Sequence, residues 1–173
     1  MKKLINPFDY AGQFAEGMKK GILLTTKAEN EVNTMTIGWG TIGIEWGRPM
    51  FVAYVRESRH TRKLLDANPE FTVNCFLGDA DSKVIGFCGT KSGRDVNKIQ
   101  ELGLHLEEAE LISVPGIREL PLTLECKVVY RNEQLWYNLP QAILDRYYPE
   151  KDGIRDHHIA YYGEIVSAYI IEE

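Results

Sequence analysis

Long apolar runs are missing from this chain. No stretch approaches the length needed to cross a bilayer as a helix, so a membrane partner is not expected. A long basic block is missing too. Lys and Arg number 20 against 25 Asp and Glu, the formal net charge is −5, and nucleic acid is not the expected partner. Cysteine is scarce: Cys75, Cys88 and Cys126 are an odd number at wide spacing, which suits neither a disulfide framework nor a structural zinc site. They read as reduced, small core hydrophobes, and the expected compartment is the cytoplasm. Met1-Lys2-Lys3 begins like a charged leader, but Asn6, Pro7 and Asp9 interrupt any apolar segment behind it, so no signal peptide is read. No HExxH, CxxC or Walker-type run is present, and no serine sits in a nucleophile elbow. No metal is expected. Gly89 to Gly93 follows a helical segment and makes a poor dinucleotide fingerprint. Repeats, linkers and low-complexity segments are also lacking. Residues 1–173 therefore read as one domain, long enough to bury a core without staples.

What is present is mostly strand. The stretch from Glu31 to Leu65 organises the rest: Val32, Ile37, Ile42 and Ile44 alternate with small or polar residues, and Phe51, Val52, Tyr54 and Val55 form a dense β-type run. Gly47-Arg48-Pro49 reads as the tight turn between them. The chain then passes straight into a short helix ending at Asn68-Pro69. Before this stretch, Phe8, Ala11, Phe14, Ala15 and Met18 recur at helical spacing up to Gly21, and Ile22 to Thr26 is a buried strand. After it come a strand over Glu70–Leu77 and a helix around Val84–Cys88 capped by Asp79 or Asp81. A short helix over Val96–Leu102 follows, capped by Asp95 and stopped by Gly103. Leu104 to Ser113 reads as a strand pair. Pro121–Arg131 is a long strand with Leu122, Leu124, Cys126, Val128 and Tyr130 on one face, Asn138–Tyr148 is helical, and Ile159–Ile171 is the last strand. The fold class is mainly β with short helices, a β-barrel with helical decoration.

Two basic clusters stand out, Arg56/Arg59/Arg62/Lys63 and Lys91/Arg94/Lys98. The plain reading of either is solvated charge offsetting the acidic residues. Yet each lies beside Ser or Thr at a helix start, where free N–H groups and the positive end of the dipole attract an anion. Ser58, Arg59 and Thr61 are placed to add charge-assisted bonds to a phosphate. Arg94 and Lys98 are four apart, so one helix face would aim both at one anion. Asn33-Thr34-Met35-Thr36 is polar where a barrel strand is normally apolar, which suits either a solvated edge or contact with a polar heterocycle. Trp39 and Trp46, flanked by glycines, are either core aromatics or neighbours of a planar ring. Adjacent His157 and His158 face opposite sides of a strand, and in a charged loop exposure is the plainer expectation. These residues alone reach an anion-binding barrel.

Several ordered motifs go further. They are Asn33-Thr34-Met35-Thr36, Gly40, Trp46-Gly47-Arg48-Pro49, Tyr54-Val55-Arg56 and Ser58-Arg59-His60-Thr61, then Phe71-Thr72-Val73-Asn74, the run Cys88 to Asp95, Lys98 and the run His158 to Ile165. Together, from about Phe8 onward, the chain resembles the flavin reductase-like, FMN-binding split-barrel family, and within it the flavoredoxin branch. The resemblance implies a split β-barrel of Greek-key type, a homodimer, and noncovalent FMN near the dimer interface. It implies that Asn33, Thr34, Met35 and Thr36 border the flavin ring and ribityl chain. Arg56, Ser58, Arg59 and Thr61 would hold the phosphate, while Ser92, Gly93, Arg94 and Lys98 close over it. His158 matches a histidine near the flavin edge and is the one catalytic candidate. Gln134 to Asp156 would shape the second substrate's entrance. The implied activity takes electrons from NAD(P)H or a reduced partner, through FMN, to flavin or another small acceptor. The alternatives are a flavoredoxin-type FMN electron carrier with no NAD(P)H activity of its own, and a barrel for another phosphorylated ligand such as pyridoxal phosphate.

Overall fold

The computed structural model describes residues 1–172. Strand β1 (Lys2–Leu4) leads through a single 3-10 turn into α1 (Ala11–Lys20), and then into β2 (Ile22–Ala28), β3 (Glu31–Ile37), β4 (Gly40–Glu45) and β5 (Arg48–Arg56). Next come α2 (His60–Ala67), β6 (Glu70–Cys75), α3 (Ser82–Thr90), α4 (Lys98–Leu102) and the two-residue strands β7 (Leu106–Glu107) and β8 (Gly116–Ile117). The chain closes with β9 (Leu122–Glu133), α5 (Gln141–Tyr147) and β10 (His158–Ile171). The large sheet runs β3-β2-β6-β9-β10-β5-β4, every pair antiparallel, with β1 added along the far half of β10. Among the described residues no helix is long and apolar enough to cross a membrane.

The sheet is curled. Met35 and Ile37 from one end strand and Ile42 from the other pack into the same core, with Phe51, Phe71, Leu124 and Tyr161, yet β3 and β4 share no ladder. The barrel therefore stays open along the seam crossed by Gly38 and Trp39. Phe14 and Met18 of α1 plug the core from one end.

Most predicted elements are found, and the departures have local causes. The turn before β5 is Trp46-Gly47, not Gly47-Arg48-Pro49. Both residues have positive φ (51° and 70°), the two-residue hairpin geometry that matches strand twist, and glycine adopts the second position without Cβ strain. The helix α4 is capped by Asn97, whose side chain accepts from Gln100 N–H, rather than by Asp95. It begins only at Lys98, so Arg94 and Lys98 share no helix face. Leu104–Ser113 is not a strand pair, because only Leu106 and Glu107 pair, with β8. Gly38-x-Gly40-x-x-Gly43 has the spacing of a dinucleotide fingerprint, but it enters strand β4 instead of opening a helix. In β9 an extra residue, Val129, sits between the pairs Tyr162–Tyr130 and Gly163–Val128. This bulge turns Tyr130 outward to Trp46 and Tyr162, and brings Arg131 over the buried Tyr161 ring.

Asn74 on β6 ties the barrel to the loop that carries β8. Its Nδ2 donates to Thr25 and Thr72 hydroxyls (3.2 and 3.1 Å), and its Oδ1 accepts from Ile117 N–H at 3.0 Å. Asn74→Ala leaves a buried N–H unpaired, and urea unfolding should show a loss of about 1–3 kcal/mol. A loss near zero contradicts the role.

Candidate cofactor site

The site lies along the open seam. Where β5 ends, the chain reverses through Arg59 N–H to Arg56 O at 3.0 Å and enters α2. Arg59 is the N-cap but contributes no side-chain cap, and among the described residues the N–H groups of His60 and Thr61 have no acceptor. An uncapped helix start keeps its partial positive charge. Buried Thr61 accepts from Asn33 Nδ2 at 3.0 Å, which fixes the β3 side chain against α2. Between β3, the start of α2 and the loop after α3 lies a cavity of about 260 Å³. Its wall carries Arg59, Lys91 and Arg94 and no carboxylate, in a chain whose net charge is −5. Among the described residues Arg59 and Lys91 make no ion pair; Arg94 donates to Ser58 O at 3.0 Å and so joins the two basic loops. The backbone at Gly93 lies so close to Asn33 that a Cβ there would drive into Oδ1, so only glycine lets this loop close.

Of the residues expected at the phosphate and ribityl end, Asn33, Met35, Thr36, Ser58, Arg59 and Thr61 line this cavity, as do Ser92, Gly93, Arg94 and Lys98. Their roles differ. Lys98 is only 4% exposed, and its ammonium donates to Thr34 O (2.8 Å) and Cys88 O (3.1 Å), so it ties α4 to β3 and α3. Burial pulls its pKa below the usual lysine value, with Arg59 adding to the shift and Cys88 opposing it. Ser92 Oγ accepts from Arg94 N–H at 3.2 Å and shapes the loop. Thr36 donates to Ile85 O at 2.6 Å, anchoring β3 to α3.

Two expected residues do not line this cavity. Thr34 does not reach the cavity: its hydroxyl accepts from Thr25 Oγ1 and donates to Leu24 O. Arg56 has its guanidinium on Asp156 O (2.7 Å) and Tyr147 O (3.0 Å), away from the phosphate end. The rest of its cluster also divides, since Arg62 pairs with Asp66 and Lys63 lines a different cavity.

A second cavity, of about 170 Å³, shares Met35, Thr36 and Arg59 with the first and adds Trp39, Tyr54, Arg56 and His158. Neither tryptophan is a core residue: Trp39 is 41% exposed and Trp46 59%. Trp39 packs on the His158 ring (4.8 Å between centroids) and edge-on to Tyr147 (5.2 Å). Beyond it opens a chamber of about 640 Å³ walled by Met18, Leu139, Ile143 and Tyr147. His158 is buried, at 6% exposure, contrary to the expectation for a charged loop. Its Nδ1 lies 2.6 Å from Tyr148 Oη, which donates to Gln134 Oε1 at 3.0 Å. Nδ1 is thus the protonated nitrogen and Nε2 the acceptor. Burial first, then Arg56, pushes the His158 pKa down to about 4, against an opposing effect of Asp156. The imidazole is neutral at pH 7.

An acid-free cationic pocket, a polar trough and an aromatic slot in one line fit a planar cofactor with a phosphate tail. Lys91, Tyr54 and Tyr148 lie at this site and were not among the residues expected to hold the cofactor, although Tyr54 stood in an ordered motif. Lys91 carried a signal, in the basic cluster. Tyr148 carried none, because its partner lies across the loop to β10.

The His158 shift has a sign. Its folded pKa is below the unfolded value near 6.5, so the unfolded chain binds the extra proton, and stability falls as pH drops from about 6.5 toward 4. Between pH 7 and pH 5 this group alone should remove about 2 kcal/mol. Urea unfolding of His158→Gln should show a correspondingly shallower pH dependence than the wild type, and an NMR titration midpoint near 6.5 for His158 contradicts the burial.

Known proteins bear on this geometry. An uncharacterized protein of Archaeoglobus fulgidus is 32% identical over 97 residues, 56% of this chain and 54% of its own, so the match spans about half of that relative. The flavoredoxin of Methanosarcina acetivorans is 27% identical, covering 88% of this chain and 68% of that one, with a TM-score of 0.66. An FMN-binding domain of a flavin reductases-like enzyme from Shewanella baltica OS155 is 15% identical over 98% of this chain and 77% of its own, with a TM-score of 0.67, a likeness of fold alone. The open curled sheet is the split barrel of these proteins. The family model for the flavin reductase like domain matches residues 17–173, and this chain belongs to that family.

Proposed function

We propose that the protein is an FMN-binding oxidoreductase that moves electrons from NAD(P)H or a reduced partner, through noncovalent FMN, to flavin or another small acceptor. One observation carries the reading: the carboxylate-free cationic cavity at the start of α2 meets the aromatic slot of Trp39 and His158 at Met35, Thr36 and Arg59. Arg59, Lys91 and Arg94 would neutralise the phosphate dianion, and the uncapped N–H groups of α2 add two further donors. Asn33 and Thr36 border the polar middle, and Trp39 walls the ring end. His158, neutral and held by Tyr148, offers Nε2 as a fixed acceptor there. Bound FMN supplies the redox chemistry, accepting and releasing electrons, so no protein nucleophile is needed.

Likeness to the Methanosarcina flavoredoxin favours a second reading, an electron carrier that exchanges with protein partners and is not reduced by pyridine nucleotide. A homodimer is also part of the proposal. The outward aromatic group of Trp46, Tyr130 and Tyr162 supports it, being an apolar surface that a second copy would cover.

Titration with FMN should give a yellow complex, which anaerobic NADH or NADPH bleaches; bleaching by a ferredoxin-type donor alone selects the carrier. Arg59→Ala should weaken FMN binding about 10- to 150-fold, the loss of one charged hydrogen bond of roughly 1.5–3 kcal/mol. Unchanged affinity removes Arg59 from the site. Sedimentation should show a dimer at micromolar concentration, and a monomer contradicts it.

A further inference from the structure

Ser58 is at odds with its expected role. It stands in the wall of the cationic cavity, yet its backbone N–H donates to Asp156 Oδ1 at 3.0 Å and its hydroxyl to Asp156 Oδ2 at 2.7 Å. A carboxylate from a distant part of the chain therefore already takes, with both oxygens, the donor pair that a phosphate oxygen would use. Asp156 belongs to the segment between α5 and β10. Arg56 holds that segment at Asp156 O and Tyr147 O, and Arg155 donates to Tyr148 O at 2.6 Å. Tyr147 and Tyr148 in turn wall the apolar chamber. The anion end and the chamber wall are thus joined through one charged residue.

We propose that Asp156 is an internal competitor for the phosphate end of the site, so that an incoming phosphate displaces its carboxylate from Ser58 and loosens residues 150–156. The inference rests on the FMN reading and names what regulates that site. Two anions cannot share the same two donors, and a carboxylate left beside a phosphate dianion repels it. The competitor holds affinity below what the donors would otherwise give. Displacement does not unseat β10, because His158 pairs with Arg56 in the β5 ladder and Glu57 N–H donates to His157 O. The loosened part is the charged turn from Glu150 to Asp156, ahead of the strand.

The test compares FMN with riboflavin, which has the same ring and no phosphate. Asp156→Asn keeps the shape and a carbonyl acceptor for Ser58 but removes the charge. FMN should bind the variant on the order of tenfold tighter than the wild type, the scale of one charge contact near a surface, while riboflavin affinity stays unchanged. In the wild type, FMN but not riboflavin should speed tryptic cutting after Lys151 and Arg155. FMN affinity that is unchanged or weaker in the variant overturns the proposal, as does equal tightening of both flavins. A wild type that binds neither flavin overturns the functional reading instead. Inorganic phosphate then decides the competitor: faster cutting after Lys151 and Arg155 supports it, and unchanged cutting overturns it.

Discussion

The rest of the structure depends on a seam. The end strands β3 and β4 bury side chains in one core but exchange no hydrogen bonds, because the chain between them runs through Gly38-Trp39 and turns β4 onto β5 instead. A closed barrel would have used the edge of β3 for a ladder and left no room for a ligand beside it. Here that edge carries Asn33, Met35 and Thr36, and the start of α2 and the loop after α3 fold over it. Every polar contact at the site follows from this failure to close.

Charge at the site is sorted by partner, and number matters less. Both basic clusters are real, but three of their seven members are spent on structure: Arg56 on carbonyls, Arg62 on Asp66, Lys98 on the carbonyls of Thr34 and Cys88. Lys98 shows how firmly. A buried ammonium is tolerable only because two carbonyls accept from it, and that requirement pins α4 in place. Arg59 and Lys91 make no ion pair among the described residues, and the one carboxylate held at the phosphate end is that of Asp156, on Ser58.

The segment from α5 to β10 links the two ends of the site. It supplies Tyr148 to His158, Tyr147 to Trp39 and Asp156 to Ser58. The hydrogen bond from His158 through Tyr148 to Gln134 fixes the imidazole tautomer, and burial keeps it neutral, so its acceptor nitrogen is set before any ligand arrives. A stretch that reads as a charged loop is in this way a strut between the anion end and the aromatic end.

The strands, helices and core positions were legible because periodicity reports burial locally: Phe14 and Met18, the Phe51–Val55 run and the alternation of β6 all face where their spacing puts them. The basic and hydroxyl residues around Ser58 were legible for a like reason, since they sit beside a helix start in the sequence itself, whereas Ser92 follows the end of α3. Tyr130 was not, because one extra residue at Val129 reverses every face beyond it, and nothing in the local pattern marks that bulge. By itself, then, the sequence determined a β-rich domain with a basic, hydroxyl-rich helix start and the family it resembles, since these depend on neighbours a few residues apart. Which guanidinium faces the cavity, why His158 is neutral and why Asp156 occupies Ser58 were decided only in the tertiary structure. Each depends on a partner about a hundred residues away in Arg56–Asp156 and Ser58–Asp156, or across a loop in His158–Tyr148, and pairing at that range has no local signature.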